Sequence, residues 1–169
     1  MSGWHVRRAE PGDAPQLVEL ARAVGAEPGG WLITTSDWRS VAEERRYLRA
    51  IRRYPHAAVY TVETDDGTLV GRLSLARDGH PASSHVADLG LMVATTHRRQ
   101  GVGRALLHQA VEWAREHGVE KLELHVFPHN AAAIALYEAF GFEREGYRTR
   151  HYRRTDGSFT DAILMAYRV

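Results

Sequence analysis

The sequence contains no cysteine. This absence excludes disulfide bonds, thiolate metal sites and a cysteine nucleophile, so a covalent acyl intermediate would need another residue. Lysine is nearly absent too, because Lys121 is the only one among 22 basic residues. No apolar run approaches the length of a membrane-spanning helix, and the N-terminal stretch lacks the apolar core of a signal peptide. We therefore expect a cytoplasmic protein that binds no membrane.

Charge and size narrow the class of protein further. The formal net charge is only +1, so bulk electrostatics give no reason to expect a nucleic-acid partner. With 169 residues, 44% of them hydrophobic and 25% charged, the composition is that of an ordinary globular protein. We expect a single domain over residues 1–169. The ten histidines lack the carboxylate spacing of known metal sites, so no metal is expected.

The segment 89–117 combines an apolar strand, a basic glycine loop and a long helix. Leu89, Leu91 and Val93 alternate as strand residues do, and an apolar stripe at helical spacing follows the glycines. A strand that leads into a glycine-rich helix start is a generic anion site, since unpaired amides and the positive helix end attract phosphate. The alternative is a tight turn with surface arginines. The loop residues are Arg98, Arg99, Gln100, Gly101, Val102, Gly103 and Arg104.

Before this segment, the sequence predicts a strand, two helices and a hairpin. Asp13 is placed to cap the first helix, and Ser40 with Glu43 forms a capping box that opens a second helix to about Tyr54. Between the helices, the stretch 25–38 is expected to be an irregular loop. We expect Glu43 and Glu44 to lie with neighbouring arginines on a solvated surface. The remaining predicted elements here are the strands 4–9, 57–64 and 69–76.

After this segment, the pattern predicts a strand over 121–127, a helix over 130–140 and a closing hairpin. Strand, helix and strand at this spacing form a βαβ unit, so the strands flanking the glycine helix should be parallel. The expected fold is therefore α/β (α+β): a mixed, mostly antiparallel sheet of about seven strands with helices on both faces. Its central parallel pair can splay and leave a crevice at the glycine loop.

Two spaced motifs resemble those of one family. Arg98, Gly101 and Gly103 match the acetyl-CoA signature of the GNAT superfamily of N-acetyltransferases, and Asn130 with Tyr137 and the following Gly-Phe pair matches a second signature. The resemblance covers nearly the whole chain and is locally strongest to the bacterial ribosomal-protein N-terminal acetyltransferases. A Rossmann dinucleotide site is disfavoured because its third glycine is missing, and an NTPase phosphate loop because its Lys and Ser/Thr are.

The resemblance implies acetyl-CoA as co-substrate and a role for each matching residue. Backbone groups of Leu91, Met92 and Val93 would pair with the pantetheine arm, and the N–H of Val93 or Met92 would polarise the thioester carbonyl. Amides from Arg99 to Arg104 would hold the pyrophosphate. Asn130 would hold the pantetheine arm, although it could be a plain N-cap. Tyr137 would protonate the departing thiolate, although it could be a packing residue.

The general base departs from the pattern of the ribosomal-type enzymes. Those enzymes carry a glutamate five residues before the asparagine, where this chain has His125. A base with a pKa near 7 suits amine deprotonation, so His125 is the first candidate, with Glu123 on the same strand face as its possible partner. Asp88 on the central strand is the second candidate. Deprotonation by solvent is the third alternative.

The acceptor is the least defined part of the expected reaction. The resemblance implies acetyl transfer to a primary amine of a small molecule such as an amino acid; the alternatives are a protein N-terminus or a non-catalytic CoA-binding module. A homodimer through the C-terminal strands is possible. In this fold the first helices and the last hairpin wall the acceptor site, where arginines would suit a carboxylate or phosphate. The candidates, if not merely solvated, are Trp31, Trp38, Tyr147, Arg148, Arg150, His151, Tyr152 and Arg153.

Overall fold

One seven-stranded sheet forms the centre of the computed structural model, which describes residues 3–33 and 38–169. The strands are β1 (Trp4–Arg8), β2 (Ala57–Thr64), β3 (Leu69–Arg77), β4 (Val86–Val93), β5 (Lys121–Val126), β6 (Glu143–Arg153) and β7 (Phe159–Arg168). Their order across the sheet is β1-β2-β3-β4-β5-β7-β6. Every neighbouring pair is antiparallel except β4 and β5, which are parallel. The predicted mixed sheet is confirmed.

Helices cover both faces of the sheet, as the sequence predicted. They are α1 (Ala14–Gly25), α2 (Val41–Ile51), α3 (Val102–Glu116) and α4 (Ala131–Phe140). One apolar core packs α3 and α4 on the sheet around Leu106 and Leu122, and a second packs α1 and α2 around Leu17 and Leu48. No helix in the described ranges is long and apolar enough to cross a membrane.

Alternation along β5 decides which side chains reach each face. Leu122, Leu124 and Val126 are buried in the core beneath α3 and α4. The residues between them, including Glu123 and His125, therefore point to the opposite face. This is the face that carries α1 and α2, so the predicted base lies on the other side of the sheet from the glycine helix.

The parallel strands part soon after they meet. Their pairing joins Val86–Asp88 of β4 to Lys121–Glu123 of β5, and it ends there. From Leu89 onward β4 stays paired with β3, while β5 stays paired with β7. The edge of β4 that faces β5 is thus free of a ladder partner among the described residues. The predicted splay is confirmed.

Two local predictions are wrong. Asp13 precedes α1, but its carboxylate makes no cap bond to that helix. It accepts instead from the Arg7 guanidinium (2.8 and 2.9 Å) and from the Glu10 N–H (2.7 Å). Glu44, expected on a solvated surface, is completely buried between α2 and the sheet. Two arginine guanidinium groups compensate its charge there.

Candidate active site

A cavity of about 910 Å³ opens where β4 and β5 part. The cavity is lined by the free end of β4, the glycine loop, α4, the end of β5 and the chain before α2. All the residues predicted for cofactor binding or catalysis line it except Asp88, Gln100 and Val102. The Gln100 side chain instead donates to the Thr96 carbonyl (2.9 Å), and the Val102 side chain is buried in the core, so these two could contribute only through their backbone amides.

The free edge of β4 supplies backbone donors and acceptors to the cavity. Backbone groups of successive strand residues point to alternate edges, and the Ala94 N–H donates to the Val70 carbonyl (2.8 Å), so Met92 pairs with β3 while Leu91 and Val93 face the open edge. Of the two N–H groups expected to polarise the thioester carbonyl, only that of Val93 is therefore available. An extended ligand that carries amide groups could add to this edge as a further strand. An N–H at the end of the edge would also suit the oxygen of a polarised carbonyl.

The glycine loop turns the chain sharply from β4 into α3. Gly101 is the N-cap residue with φ of +85°, a conformation that side chains rarely adopt, and Arg99 has φ of +62°. The turn brings the first amides of α3 to the cavity, where the positive helix end favours an anion. Gly103 has a different purpose, because a Cβ there would lie 2.8 Å from Leu136 Cδ2. Because glycine has no Cβ, α3 and α4 can pack closely at this position.

The Arg98 side chain is held by a carboxylate that the sequence analysis did not single out. Its two terminal nitrogens donate to Glu27 (2.8 and 2.6 Å), and its Nε donates to the Val93 carbonyl (3.1 Å). Glu27 also accepts from Thr95 (2.8 Å) and from the Trp31 indole (2.9 Å). The Arg98 guanidinium is the main reason that the pKa of Glu27 falls below its usual value.

Residues 27–33, here called the bridging loop, connect three parts of the site. At one end Glu27 holds Arg98. In the middle, the Trp31 ring stacks on the His129 ring (5.6 Å between centroids), and His129 Nε2 hydrogen-bonds the Gly29 carbonyl (2.9 Å). At the far end Arg154 donates to the carbonyls of Leu32 (3.0 Å) and Ile33 (3.2 Å). The bridging loop therefore spans the opening between the glycine loop and the C-terminal hairpin formed by β6 and β7.

Helix α4 contributes two polar side chains to the cavity. The Asn130 Oδ1 accepts from the Ala133 N–H (3.3 Å), so Asn130 caps the helix and lines the cavity at once. Tyr137 is 6% exposed, and burial raises the pKa of its phenol well above the usual value. The phenol consequently stays protonated at neutral pH, which suits a proton donor.

His125 is hydrogen-bonded to the hairpin rather than to its own strand. Its Nδ1 lies 2.5 Å from the Tyr152 hydroxyl, whereas Glu123 forms an ion pair with Lys121 (2.8 Å). The expectation that Glu123 orients the ring is therefore replaced by a contact with Tyr152. When Nδ1–H donates to the phenol oxygen, Nε2 keeps its lone pair for a proton.

The protonation of His125 follows from its surroundings. Burial, and then the positive charges of Arg148 and His151, lower the pKa of His125 below 6.5. The ring is then neutral at pH 7, as a base must be. Asp88, the second candidate, lies outside the cavity where β4 is still paired with β5. Desolvation and the neighbouring Glu123 carboxylate raise the pKa of Asp88.

The residues predicted to wall the acceptor site are divided by the structure. Trp31 lines the cavity, and Trp38 packs against Arg72, a buried residue of the cavity wall. No residue of 147–153 is among the lining residues. Arg150 and Arg153 stack on the Phe159 ring, with their Cζ atoms 4.3 and 4.6 Å from the ring centroid. Apart from the half-buried Tyr152, the hairpin candidates are exposed to solvent: Tyr147, Arg148, Arg150, His151 and Arg153.

Fold and cavity together define a class of protein, an acyltransferase domain whose glycine loop suits a phosphate-bearing thioester. Residues 30–142 match the model of the acetyltransferase (GNAT) family. The chain belongs to this family, as the two sequence motifs predicted. The family uses acetyl-CoA as its acetyl donor, so the enzyme class is an acetyl-CoA-dependent N-acetyltransferase.

Similar proteins include enzymes with two kinds of acceptor. The chain is 39% identical over 105 residues to the L-amino acid N-acetyltransferase AaaT of Escherichia coli, a match that covers 60% of this chain and 62% of that protein. It is 37% identical over 114 residues to the [ribosomal protein bS18]-alanine N-acetyltransferase of the same species, covering 63% and 76%. A GNAT-family acetyltransferase structure from Streptococcus pneumoniae superposes with a TM-score of 0.87 at 27% identity, covering 98% and 99%.

Proposed function

We propose that this chain transfers the acetyl group of acetyl-CoA directly to a primary amine of a small molecule, an amino acid or a close analogue. One observation carries the proposal. The unpaired edge at Leu91–Val93, the glycine loop, Tyr137 and His125 all line the same cavity. Donor, amine and both proton-transfer groups would then meet at the end of β4.

The proposed reaction needs no covalent enzyme intermediate. The amine nitrogen attacks the thioester carbonyl carbon, so that a C–N bond forms and the C–S bond then breaks. The N–H of Val93 would stabilise the oxyanion, and His125 would take the proton that the amine loses. Tyr137 would donate a proton to the departing thiolate, giving free CoA and an N-acetyl product.

Protein N-terminal acetylation is the second candidate, and the similarity to the bS18-alanine enzyme favours it. A peptide would need an open groove across the acceptor side. The bridging loop is tied to Arg98 at one end and to Arg154 at the other, and so spans that side. This closure favours a small acceptor over a peptide.

Acceptor screening with the purified chain tests the proposal. Acetyl-CoA is supplied with amino acids, other small amines and alanine-terminated peptides, while thiol release and the mass of each acceptor are followed. We expect thiol release that equals N-acetyl product for one or more amino acids. Transfer to peptides alone would support the second candidate. Tight acetyl-CoA binding with no transfer would indicate a non-catalytic CoA-binding module.

A further inference from the structure

A buried ion cluster forms part of the cavity wall on the acceptor side. Arg72 on β3 is 5% exposed, and it donates to the completely buried Glu44 of α2 (3.0 Å) and to Ser74. Glu44 also accepts from Arg39 (2.8 Å). Trp38 lies in the same cluster, with the Arg72 guanidinium 4.6 Å from its ring centroid. Arg72 and Ser74 line the cavity, whereas Glu44 lies behind them.

Charge in this cluster is unbalanced. Among the described residues, two guanidinium groups share the single carboxylate of Glu44. Arginine stays protonated in proteins, even where burial lowers the pKa, as it does for Arg72. A buried positive charge is costly unless its partners are complete. The buried pair of Arg72 and Glu44 is neutral, and the side chain of Arg39 is 33% exposed, so solvent compensates part of its charge. The cluster as a whole still carries one positive charge more than its carboxylate, which suits it to an anion on the side where the cavity lies.

Arg72 also has donors to spare. A guanidinium carries five N–H groups, of which the bonds to Ser74 and Glu44 use two. Its Nε–H has no partner within residues 3–33 and 38–169. This Nε–H is itself buried, so it is not the group that would meet a ligand in the cavity. The terminal nitrogens Nη1 and Nη2 each keep one further N–H after their bonds to Ser74 and Glu44. Carboxylates are the group that a guanidinium matches best, because two parallel hydrogen bonds can form.

The register of the sheet places this cluster beside the expected reaction centre. Arg72 on β3 is directly opposite Met92 on β4, and its neighbour Gly71 is opposite Val93. The N–H of Val93 is the proposed partner of the thioester carbonyl. Paired residues have their Cα atoms about 5 Å apart. An anion at Arg72 would thus be close to an amine that attacks the thioester, as in an α-amino acid.

We infer that Arg72 binds the carboxylate of the acceptor and that the acceptor is an α-amino acid or another short amino carboxylate. This inference rests on the proposed acetyl transfer. Glu44 and Trp38 hold the guanidinium in place, and Ser74 lies beside it at the cavity wall. The carboxylate-reading arginine is then on β3, and not on the C-terminal hairpin where the sequence had suggested it.

The direct test compares each L-amino acid with its own primary amide, which keeps the amine and removes the carboxylate. Rates are expressed per concentration of unprotonated amine, because the two amines differ in pKa. We expect kcat/KM for the acid to exceed that for the amide by about 20-fold or more, since a site built for a charged partner rejects its neutral analogue. Arg72→Met should reduce this ratio towards one, mainly by raising the acceptor KM, and Arg72→Lys should restore part of it.

The control variant is Arg45→Met, which removes an exposed arginine from α2 and should leave the ratio unchanged. Equal rates for acid and amide in the unaltered enzyme would overturn the inference, although acetyl transfer itself would stand. Absence of transfer to every amine would instead contradict the proposed function. The two failures are therefore distinguishable.

A binding measurement keeps the test independent of the folding of the Arg72 variants. Propionate is titrated into the enzyme while tryptophan fluorescence is followed, because Trp38 packs against Arg72. We expect a saturable change that Trp38→Phe abolishes and Arg45→Met retains. A titration without a saturable change, or one that survives Trp38→Phe unaltered, would contradict a carboxylate site at Arg72.

Discussion

The two walls of the cavity are assembled in different ways. The cofactor wall, made of β4, the glycine loop and α4, comes from one continuous stretch of chain between residues 86 and 140. The acceptor wall, made of the bridging loop, Arg72 with its partners and His125, brings together residues far apart in sequence. Tyr152 supports this wall from outside the cavity, through its hydrogen bond to His125. The first wall depends on backbone geometry, and the second depends on contacts between side chains.

The difference explains why the donor is easier to identify than the acceptor. A phosphate-bearing arm is held by amides, and amides are positioned by a left-handed glycine and a free strand edge. Such requirements restrict residue types at fixed spacing. A small acceptor is held by a few charged side chains, which can come from any element that reaches the cavity.

The largest effect should come from Tyr137→Phe, which tests the chemistry of the cofactor wall. If the phenol protonates the thiolate, kcat should fall about 1,000-fold, while the KM for acetyl-CoA changes by less than about twofold. Steady-state thiol release checks both values. Tyr54→Phe, which alters an exposed tyrosine, is the matched control. A normal kcat in the Tyr137→Phe enzyme would show that Tyr137 is a packing residue and does not donate the proton.

His125→Gln should have the next largest effect, about 100-fold on kcat/KM at pH 7. The pKa of His125 lies below 6.5, so the ring is neutral above that pH and becomes protonated as the pH falls. As the pH falls through this lowered pKa, the unaltered enzyme should lose activity, which gives its pH–rate profile a falling acidic limb. The profile of the variant should lack that limb. Tyr152→Phe should shift the limb, because it removes the hydrogen bond to Nδ1. Persistence of the same limb in His125→Gln would exclude His125 as the base.

Glu27→Gln tests whether the two walls depend on each other. The substitution removes the charge that holds Arg98, so we expect the KM for acetyl-CoA to rise about tenfold, the usual weight of a charge-assisted hydrogen bond. Because the bridging loop is tied at Glu27, the acceptor KM should rise as well. Glu19→Gln on the exposed face of α1 is the control. A rise in the KM for acetyl-CoA alone would show that the walls act separately, and no change in either KM would contradict a role for Glu27 in the site.

The smallest effects are expected for alanine substitutions of the two loop glycines, Gly101 and Gly103, which should differ in their cost to stability. Gly101→Ala places a side chain at φ of +85° and should lower the free energy of unfolding by about 1 kcal/mol, with weaker acetyl-CoA binding. Gly103→Ala meets only the end of the Leu136 side chain, which can move. Its cost should therefore be smaller. Thermal unfolding with and without acetyl-CoA measures both, and a larger loss at Gly103 would reverse this assignment.

Most of the cofactor wall could be predicted from the sequence. The alternation of β4, the spacing of the glycines and the helix that follows are local patterns, and the structure confirms these elements and the parallel pair. The contact of Gly103 with Leu136 could not be predicted, because it joins two different helices.

The acceptor wall could not be predicted in the same way. Glu44 has the local sequence of a solvated helix residue, and only the position of Arg72 across from it shows that it is buried. Glu27 lies in a loop rich in glycine, 71 positions from Arg98. The hairpin arginines drew attention because they are many, yet none lines the cavity.

A crystal structure with a thioether analogue of acetyl-CoA would show directly where the donor binds. We expect the pantetheine arm to extend β4 along Leu91–Val93, with the pyrophosphate at the amides 99–104. The acyl oxygen should lie within hydrogen-bond distance of the Val93 N–H, and the sulfur should lie beside the Tyr137 hydroxyl. An analogue bound away from the free edge of β4, or with its sulfur remote from Tyr137, would contradict this arrangement.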